Sequence, residues 1–250
     1  MMRLPTLDDR QRVSDRPGDP AVMSQRWTNL LFLHWEVSPD QIQQTLPAGL
    51  TVDLHGGKAY LGLVPFYMRD IRPRFAPALP GVSHFLEMNV RTYVHDRHGN
   101  PGVWFYSLDA NRSLAVAIAR RFFHLPYHRA KMSAHQKNGL IGYRCERLSR
   151  PGEPSTFSYR GGKALAGPEP GSLDYFLLER YLLFAHDPKR NRLLSGQVHH
   201  RPYPVHTAVV NSFSSDAPRQ AGFDLNGKPP THAAFSPGVD VKVFATKDVD

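Results

Sequence analysis

Length, composition and charge are those of an ordinary globular protein. Of the 250 residues, 41% are hydrophobic and 21% are charged, and the formal net charge is +9. One elaborate all-β domain of this length is as compatible with these values as two domains are. Because Cys145 is the only cysteine, an internal disulfide and a cysteine-based zinc cluster are both excluded.

The first 23 residues mix both charge signs with proline and glycine and contain no apolar core of a signal peptide. No apolar run elsewhere is long enough to span a membrane. The sequence therefore predicts a loose tail over residues 1–23, a single domain over 24–250 that includes the Pro- and Gly-rich last 35 or so residues, and a cytoplasmic location without membrane contact.

The first predicted strand covers residues 29–37, where aromatic and branched side chains alternate. A helix of about two turns is predicted to follow, with Ser38, Pro39 and Gln41 as its start signals and Pro47 as its end. A hairpin is predicted over residues 50–68, a loop over 71–82, and a second hairpin from strands at 85–94 and 103–109.

The strand at residues 85–94 carries an apolar face and a mixed face. The mixed face presents Glu87, Asn89 and Arg91 between Phe85 and Tyr93. On a solvent face these groups form a surface salt bridge of small value. On the inside of a barrel, Glu87 and Arg91 must pair or bind a ligand, because an unpaired buried charge is costly.

Two longer helices are predicted, over residues 113–123 and 172–186, each with a serine as its N-cap. Because Pro126 cannot continue the first of them, residues 124–129 are predicted to form a turn. Further strands are predicted at residues 139–146, 156–159, 192–199, 205–213 and 239–245. The pattern favours a mainly β (α+β) fold, an antiparallel barrel or sandwich with two or three packed helices.

Positive charge is concentrated between residues 111 and 150. Nine lysines and arginines in this segment stand against one acidic residue, Glu146. Such a field steers anions or binds nucleic acid, although a solvated face without a partner has the same composition. No nucleic-acid-binding motif accompanies the charge, so nucleic acid is the less favoured partner. Of possible metal ligands, His199 and His200 point to opposite faces of their strand, and His206 adds no acidic neighbour, so no metal site is predicted.

Several motifs in a fixed order resemble those of the YqjF-like family of uncharacterised proteins, in the acetoacetate decarboxylase-like superfamily. They are FLHW (32–35), LP-x-GL (46–50), VPF (64–66), E-x-NVRTYV (87–94), SLDA (107–110), LPY (125–127) and FLLERY (176–181). The resemblance implies an antiparallel, cone-shaped β-barrel with an internal pocket, often in a homo-oligomer. It implies no particular reaction.

The superfamily's decarboxylase uses a Schiff-base lysine, the first of two lysines that follow a proline. In this chain Arg120 and Pro126 match that segment, but Tyr127 and His128 occupy the two lysine positions. A phenol cannot form an imine, so the named chemistry does not carry over. Lys131 lies four residues beyond the nucleophile position.

The resemblance shifts the interpretation of the mixed face toward a ligand site. Glu87, Tyr127 and His128 are then the candidate catalytic groups, with Glu87 as a base or hydrogen-bond acceptor. The candidate ligand-binding residues, with Arg91 as the partner of Glu87 or a carboxylate clamp, are Arg91, Asn89, Arg120, His34 and Lys131.

Three functions remain open at this stage. The first is a barrel that binds a small anionic or carbonyl-containing molecule, with or without lyase-like catalysis, no Schiff-base lysine and no cofactor. The second is a ligand-binding or sensor protein without catalysis. The third is nucleic-acid binding through the basic segment. Whether the protein is an enzyme is left undecided.

Overall fold

The computed structural model describes residues 3–75, 83–112 and 124–249. The strands in this part are β1 (Met23–Val37), β2 (Leu50–Val52), β3 (Ala59–Pro73), β4 (Phe85–Asp96), β5 (Pro101–Ala110), β6 (Tyr127–Lys137), β7 (Leu140–Arg147), β8 (Ser155–Ala164), β9 (Leu182–Asp187), β10 (Arg192–His199), β11 (His206–Ser214), β12 (His232–Val243) and β13 (Lys247–Asp248). The helices are α1 (Leu7–Arg12), α2 (Pro39–Gln43), α3 (Leu173–Leu178) and α4 (Ala217–Gln220). The prediction of a mainly β fold is confirmed.

Two strands branch the sheet and allow it to close on itself twice. One edge of β5 pairs with β4, and its other edge is shared by β6 and β9. Likewise, one edge of β12 pairs with β1, and the other is shared by β10 and β11. The described pairings therefore contain a circuit of nine strands (β1, β3, β4, β5, β6, β7, β8, β11, β12) and a circuit of seven (β1, β3, β4, β5, β9, β10, β12). Adjacent strands are antiparallel in the described part, except where β5 meets β6 and β9.

The strands common to both circuits have a separate hydrophobic core on each face. Leu31 and Leu33 of β1 pack into one core, together with residues of β6, β7 and β8. Leu30 and Phe32 alternate with them and pack into the other, together with residues of β5, β9 and β10. As a consequence every residue of β4 is buried, and the solvent-facing interpretation of its mixed face is wrong.

The predicted helix over residues 172–186 is wrong beyond its first turns. Ser172 caps α3 by accepting a hydrogen bond from the backbone N–H of Tyr175, as expected, but α3 ends at Leu178. Residues 182–187 form β9, which pairs with β10 and with β5. Leu182, Leu183 and Phe184 suit a helix stripe and a buried strand equally, and strand pairing within the seven-strand circuit satisfies their backbone groups.

Two other predicted local structures differ from the structure. β2 pairs with β4 rather than with β3, so residues 50–68 form no two-stranded hairpin beyond the His55–Lys58 bridge. The turn predicted for residues 124–129 is replaced by β6 from Tyr127 onward. Pro126 excludes a continuing helix, but it does not prevent the residues that follow it from forming a strand. The helix predicted for residues 113–123 lies outside the described residues.

The segment predicted as a loose tail carries α1. Thr6 and Asp9 form a reciprocal capping box at its start. Arg10 on this helix makes two hydrogen bonds of 2.7 Å with the buried carboxylate of Asp53. These contacts attach the segment to the barrel. None of the helices in the described ranges is both long and apolar enough to cross a membrane.

Candidate functional site

A cavity of about 250 Å³ lies in the seven-strand circuit, against strands β1, β3, β4, β5, β9 and β10. Its walls are predominantly apolar, with methionine, phenylalanine, leucine and valine side chains. A few polar groups interrupt them, which is the usual composition of a site for a small organic molecule. The polar and charged groups in the lining are Gln25, Ser83, Glu87, Arg91, Tyr127, Arg180 and Tyr203.

Glu87 and Tyr127 form a buried pair in this cavity. The Tyr127 hydroxyl donates a 2.8 Å hydrogen bond to a carboxyl oxygen of Glu87. Glu87 is on β4, and Tyr127 begins β6, which the parallel pairing with β5 brings alongside. Burial raises the pKa of Glu87 to about 7, the hydrogen bond from Tyr127 opposes this rise, and the charge of Asp109 adds to it. Glu87 can therefore donate and accept a proton near neutral pH.

The raised pKa of Glu87 predicts a pH dependence of stability. Its pKa rises from an ordinary 4.5 to about 7 on folding, so the native protein binds this proton more tightly than the unfolded chain does. The stability that the bound proton confers is complete below pH 4.5 and is lost as the pH rises through 7, by about 3 kcal/mol. We expect the Glu87→Gln variant to lack this loss. Relative to the wild type, its free energy of unfolding should therefore be about 3 kcal/mol higher at pH 8 than it is at pH 4.

Urea denaturation of both proteins at several pH values measures this difference. Tyr127→Phe is the matched variant, because it keeps the carboxyl but removes the hydrogen bond that lowers its pKa. In that protein the loss of stability should extend to higher pH. A constant difference between Glu87→Gln and the wild type across this range would contradict the assignment.

Arg91 lies on the same face of β4 as Glu87 but is not its partner. Four residues of extended strand separate their Cα atoms by about 13 Å. The Nη2 atom of Arg91 donates to the carbonyl of Leu177 at 3.2 Å, and the guanidinium carbon lies 5.5 Å from the ring centroid of Phe32. Its Nε atom is buried without a hydrogen-bond partner in the described part of the chain. No carboxylate forms a salt bridge with Arg91 among these residues, so Arg91 brings an unneutralised positive charge to the cavity.

Glycine at position 62 makes room for this arrangement. Gly62 of β3 pairs with both His34 and Arg91 across the sheet. A Cβ atom there would lie 3.1 Å from the His34 ring and 3.3 Å from the Arg91 side chain. These contacts are tighter than ordinary packing allows, so a larger residue would displace one of the two side chains.

Arg180 is a second buried cation in the cavity wall, and the sequence analysis did not assign it a role. Its Nη1 donates to Asp53 at 2.7 Å, and its Nε donates to the carbonyl of Phe176. Its Nη2 has no hydrogen-bond partner among the residues described. Burial lowers the pKa of Arg180 to about 10, and the negative charge of Asp53 limits this shift because it favours the charged guanidinium. The signal available in the sequence was a Glu-Arg pair inside the apolar run FLLERY.

Asp53 is shared between Arg180 and Arg10. Burial alone would raise the pKa of Asp53, but the two guanidinium groups hold it below its ordinary value. One carboxylate therefore faces two arginines. Together with Arg91, this leaves the cavity end near Arg180 with an excess of positive charge, which favours an anion.

Two other predicted site residues are buried beside the cavity rather than in its lining. Asn89 is 5% exposed, and its Oδ1 has no hydrogen-bond partner in the described residues. His34 is completely buried and contacts the Tyr93 hydroxyl at 2.7 Å and the ring of His232 at 2.9 Å. Burial lowers the pKa of His34 well below its ordinary range, so His34 is a neutral hydrogen-bonding group.

The remaining predicted residues do not join Glu87 and Tyr127. His128 points to the opposite face of β6 from Tyr127, because adjacent residues of a strand alternate. Lys131 is exposed on β6 opposite Glu146 and is not part of the described cavity lining, so its assignment as a ligand-binding residue stays a prediction without support from this cavity. Arg120 lies outside the described residues.

The basic segment is partly neutralised by its own contacts. Arg147 makes two hydrogen bonds to the buried carboxylate of Asp109, at 2.7 and 2.8 Å. Arg144 pairs with Glu146 at 2.9 Å. Within the described ranges, no cluster of three or more potential ligands could hold a metal ion. Nucleic-acid binding through this segment stays an untested prediction.

The fold and the site together define a β-barrel protein with a mainly apolar pocket and a few buried ionisable groups. The profile of DUF2071, a family of uncharacterized conserved proteins, matches residues 24–240. The chain belongs to this family. A relative is the uncharacterized protein YqjF of Bacillus subtilis (strain 168), 38% identical over 187 residues, which cover 75% of this chain and 76% of YqjF.

Solved structures with this architecture confirm the fold type. The enduracididine biosynthesis enzyme MppR, in complex with the condensation product of pyruvate and imidazole 4-carboxaldehyde, has a TM-score of 0.63 and 13% identity, over 92% of this chain and 90% of MppR. An acetoacetate decarboxylase-like enzyme from Sphingomonas wittichii RW1 has a TM-score of 0.63 and 12% identity, over 93% and 94% of the two chains. The predicted acetoacetate decarboxylase-like barrel is thereby confirmed. At these identities the likeness concerns the fold alone.

Proposed function

We propose that the protein binds a small carboxylate with an apolar body in this cavity and that Glu87 exchanges a proton with the bound molecule. The reaction would be lyase-like and would proceed without a Schiff-base lysine. One observation carries the proposal: the buried guanidinium of Arg91 lines the cavity and has no carboxylate partner among the described residues. An unpaired buried charge is costly, and a bound carboxylate would remove that cost.

The size and the lining of the cavity define the rest of the ligand. A cavity of 150 Å³ holds benzene, so about 250 Å³ has room for roughly ten non-hydrogen atoms. Apart from the polar groups named above, the walls offer apolar contacts from side chains such as Met68, Phe105 and Leu183. A straight-chain or aromatic monocarboxylate suits this combination better than a polyanion does.

The placement of Glu87 supports proton exchange with the ligand. Its carboxyl group, with a pKa of about 7, lies on the same strand face as Arg91 but about 13 Å along the strand. A carboxylate held at Arg91 would therefore direct the other end of the molecule toward Glu87 and Tyr127. A carbonyl or its enol at that end could exchange a proton with Glu87.

Binding without catalysis is the second candidate. The observation that favours it is the absence of lysine from the described cavity lining. An imine with a carbonyl ligand therefore has no nucleophile among these residues.

Arg91→Met tests the binding half of the proposal. Octanoate is the probe, and the fluorescence of Trp27, which lines the cavity, reports its binding. Because hydrogen bonds to a charged group contribute about 1.5–3 kcal/mol, we expect the variant to bind octanoate about 10- to 100-fold more weakly. It should fold normally, since it removes an unpaired charge. Arg160→Met, at an exposed arginine of β8, is the control and should bind as the wild type does.

Equal affinity of Arg91→Met and the wild type for octanoate, or equally tight binding of 1-octanol, would refute the carboxylate site. Deuterium exchange into 6-oxoheptanoate, a ligand of the same size whose carbonyl lies at the end away from the carboxylate, then separates catalysis from binding alone. The enzyme hypothesis requires the wild type to accelerate exchange next to the carbonyl and Glu87→Gln to slow it at least about 100-fold. No acceleration by a wild type that binds the probe would leave the binding protein as the function.

A further inference from the structure

A continuous hydrogen-bonded chain leads from the protein surface to a buried backbone carbonyl that Arg91, a residue of the cavity wall, also contacts. The carboxylate of Asp174 lies 2.9 Å from Nε2 of His232, and Nδ1 of His232 lies 2.9 Å from Nδ1 of His34. On the other side of the His34 ring, Nε2 lies 2.7 Å from the Tyr93 hydroxyl, which is 3.0 Å from the carbonyl oxygen of Leu177. Exposure falls along this chain from 40% for the Asp174 side chain to none for His34.

The number of protons in this chain is fixed by its two ends. A carbonyl oxygen and an ionised carboxylate accept hydrogen bonds and donate none. The four contacts between these ends therefore need four protons. Tyr93, neutral His34 and neutral His232 supply only three, because a neutral imidazole has one N–H and one bare nitrogen.

We propose that Asp174, His232, His34 and Tyr93 form a proton relay that stores one additional proton and reverses its hydrogen-bond direction when that proton leaves. With the extra proton, His232 donates to both Asp174 and His34, His34 donates from Nε2 to Tyr93, and Tyr93 donates to Leu177. Without it, Tyr93 donates to Nε2 of His34, His34 donates from Nδ1 to His232, and His232 donates to Asp174. Both states satisfy the two histidine rings, and each places the His34 proton on a different nitrogen.

The surroundings decide which group carries the extra proton. Arg91 and Tyr93 face His34 from β4, and His232 faces it from β12. Arg180 contacts the Tyr93 ring, with its guanidinium carbon 5.0 Å from the ring centroid. Burial, together with the charges of His232 and Arg91, disfavours a positive charge on His34 and lowers its pKa. Asp174, whose pKa is lowered by its hydrogen bond with His232, stays ionised. Of the two histidines, His232 contacts this carboxylate directly and is the more exposed, so the proposed extra proton is assigned to its ring.

The inner end of the relay reaches the cavity lining through Arg91, which contacts the backbone carbonyl of Leu177. The carbonyl oxygen of Leu177 also accepts the hydrogen bond from Arg91, which lines the cavity. In the protonated state this oxygen is shared by Tyr93 and Arg91, and in the deprotonated state it serves Arg91 alone. An anion bound at Arg91 would favour the protonated state. This coupling rests on the proposed function, whereas the relay itself does not.

The tautomer of His34 tests the relay without any ligand. The full-length protein is labelled with ¹⁵N in its histidine rings, and long-range ¹H–¹⁵N correlation spectra are recorded from pH 5 to pH 9. The His34 and His232 signals are assigned from His→Gln variants. We expect the His34 proton to move from Nε2 to Nδ1 as the pH rises, in one transition that the signals of both rings share.

Two variants should lock the relay in opposite states. In Asp174→Asn the side-chain amide can donate to Nε2 of His232, so three neutral groups complete the chain and His34 keeps its proton on Nε2 at every pH. In Tyr93→Phe the Nε2 atom of His34 has no hydroxyl to contact, so His34 keeps its proton on Nδ1. Asp174 is partly exposed, so its variant carries the test alone if the buried Tyr93→Phe does not fold.

A single His34 tautomer in the wild type from pH 5 to pH 9 would overturn the proposal. A tautomer change that persists in Asp174→Asn would overturn it equally, because the carboxylate is the acceptor that demands the fourth proton. Failure of octanoate to bind would leave the relay intact and count only against the proposed function.

Discussion

We expect Asp53→Asn to lower the free energy of unfolding by about 3–5 kcal/mol, as loss of one partner of a buried ion pair does. The Asp53 side chain is 3% exposed and accepts three hydrogen bonds of 2.7 Å, two from Arg10 and one from Arg180. The amide of asparagine keeps the shape of the side chain but not its charge. Arg180 would then be a buried cation without a counter-ion.

Urea denaturation at neutral pH measures this loss. Asp248→Asn is the control, because Asp248 also pairs with an arginine at 2.6 Å, but at a surface where the two side chains are 60% and 42% exposed. Exposed pairs contribute about 0–1 kcal/mol, so the control should stay close to the wild type. Similar losses in the two variants would show that burial of Asp53 carries no special weight.

Gly238→Ala should destabilise the protein by at least about 3 kcal/mol. Gly238 lies in β12 opposite Thr28 of β1 and has a φ of +140°, a conformation essentially restricted to glycine. A Cβ atom there would meet the carbonyl oxygen of Trp27 at 2.2 Å, and this oxygen belongs to the backbone of the paired strand. The clash can be relieved only by separating β1 from β12.

Two further alanine variants divide this cost into its parts. Gly222 has a φ of +93° but open space around its Cβ position, so Gly222→Ala should show the conformational cost alone, about 1 kcal/mol. Gly167 has open space and no positive φ, so Gly167→Ala should be neutral or slightly stabilising. Thermal or urea unfolding of the three variants ranks them, and a Gly238→Ala as stable as Gly222→Ala would contradict the steric argument.

The sequence predicted the strands well where their pattern was local. The strands at residues 29–37, 85–94 and 103–109 are within β1, β4 and β5, because aromatic and β-branched residues alternate there between turn formers. Most of residues 182–187 were included in the predicted helix over 172–186, because their apolar run fits a helix as well as a strand. In the structure they form β9, which pairs with the neighbouring strand β10 and also with β5, about 80 residues earlier in the chain, and no local pattern contains the second pairing.

The candidate site could be predicted only in part for a related reason. Glu87 and Arg91 were identified because charges alternate with aromatic residues on a single strand. Arg180 and Asp53 were not, because they are 127 positions apart in the chain and their contact depends on the fold rather than on a local pattern. His232 likewise had no signal of its own, because its contact with His34 depends on the pairing of β1 with β12. Sequence patterns locate single ionisable groups, whereas the candidate site is defined by which of these groups meet in the fold.

The two-sided burial of β4 limits how this family can vary. A residue on β4 packs either into the apolar core of the nine-strand circuit or toward the cavity side of the seven-strand circuit, so no position on it faces solvent. A change of side-chain volume there cannot be absorbed by water and must be matched by a neighbour. Strands β9 and β10, which belong to the seven-strand circuit alone and contribute Leu182, Leu183 and Val198 to the cavity wall, carry no such double constraint. We therefore expect substitutions that reshape the cavity to accumulate most easily on these two strands, while the shared strands preserve the barrel.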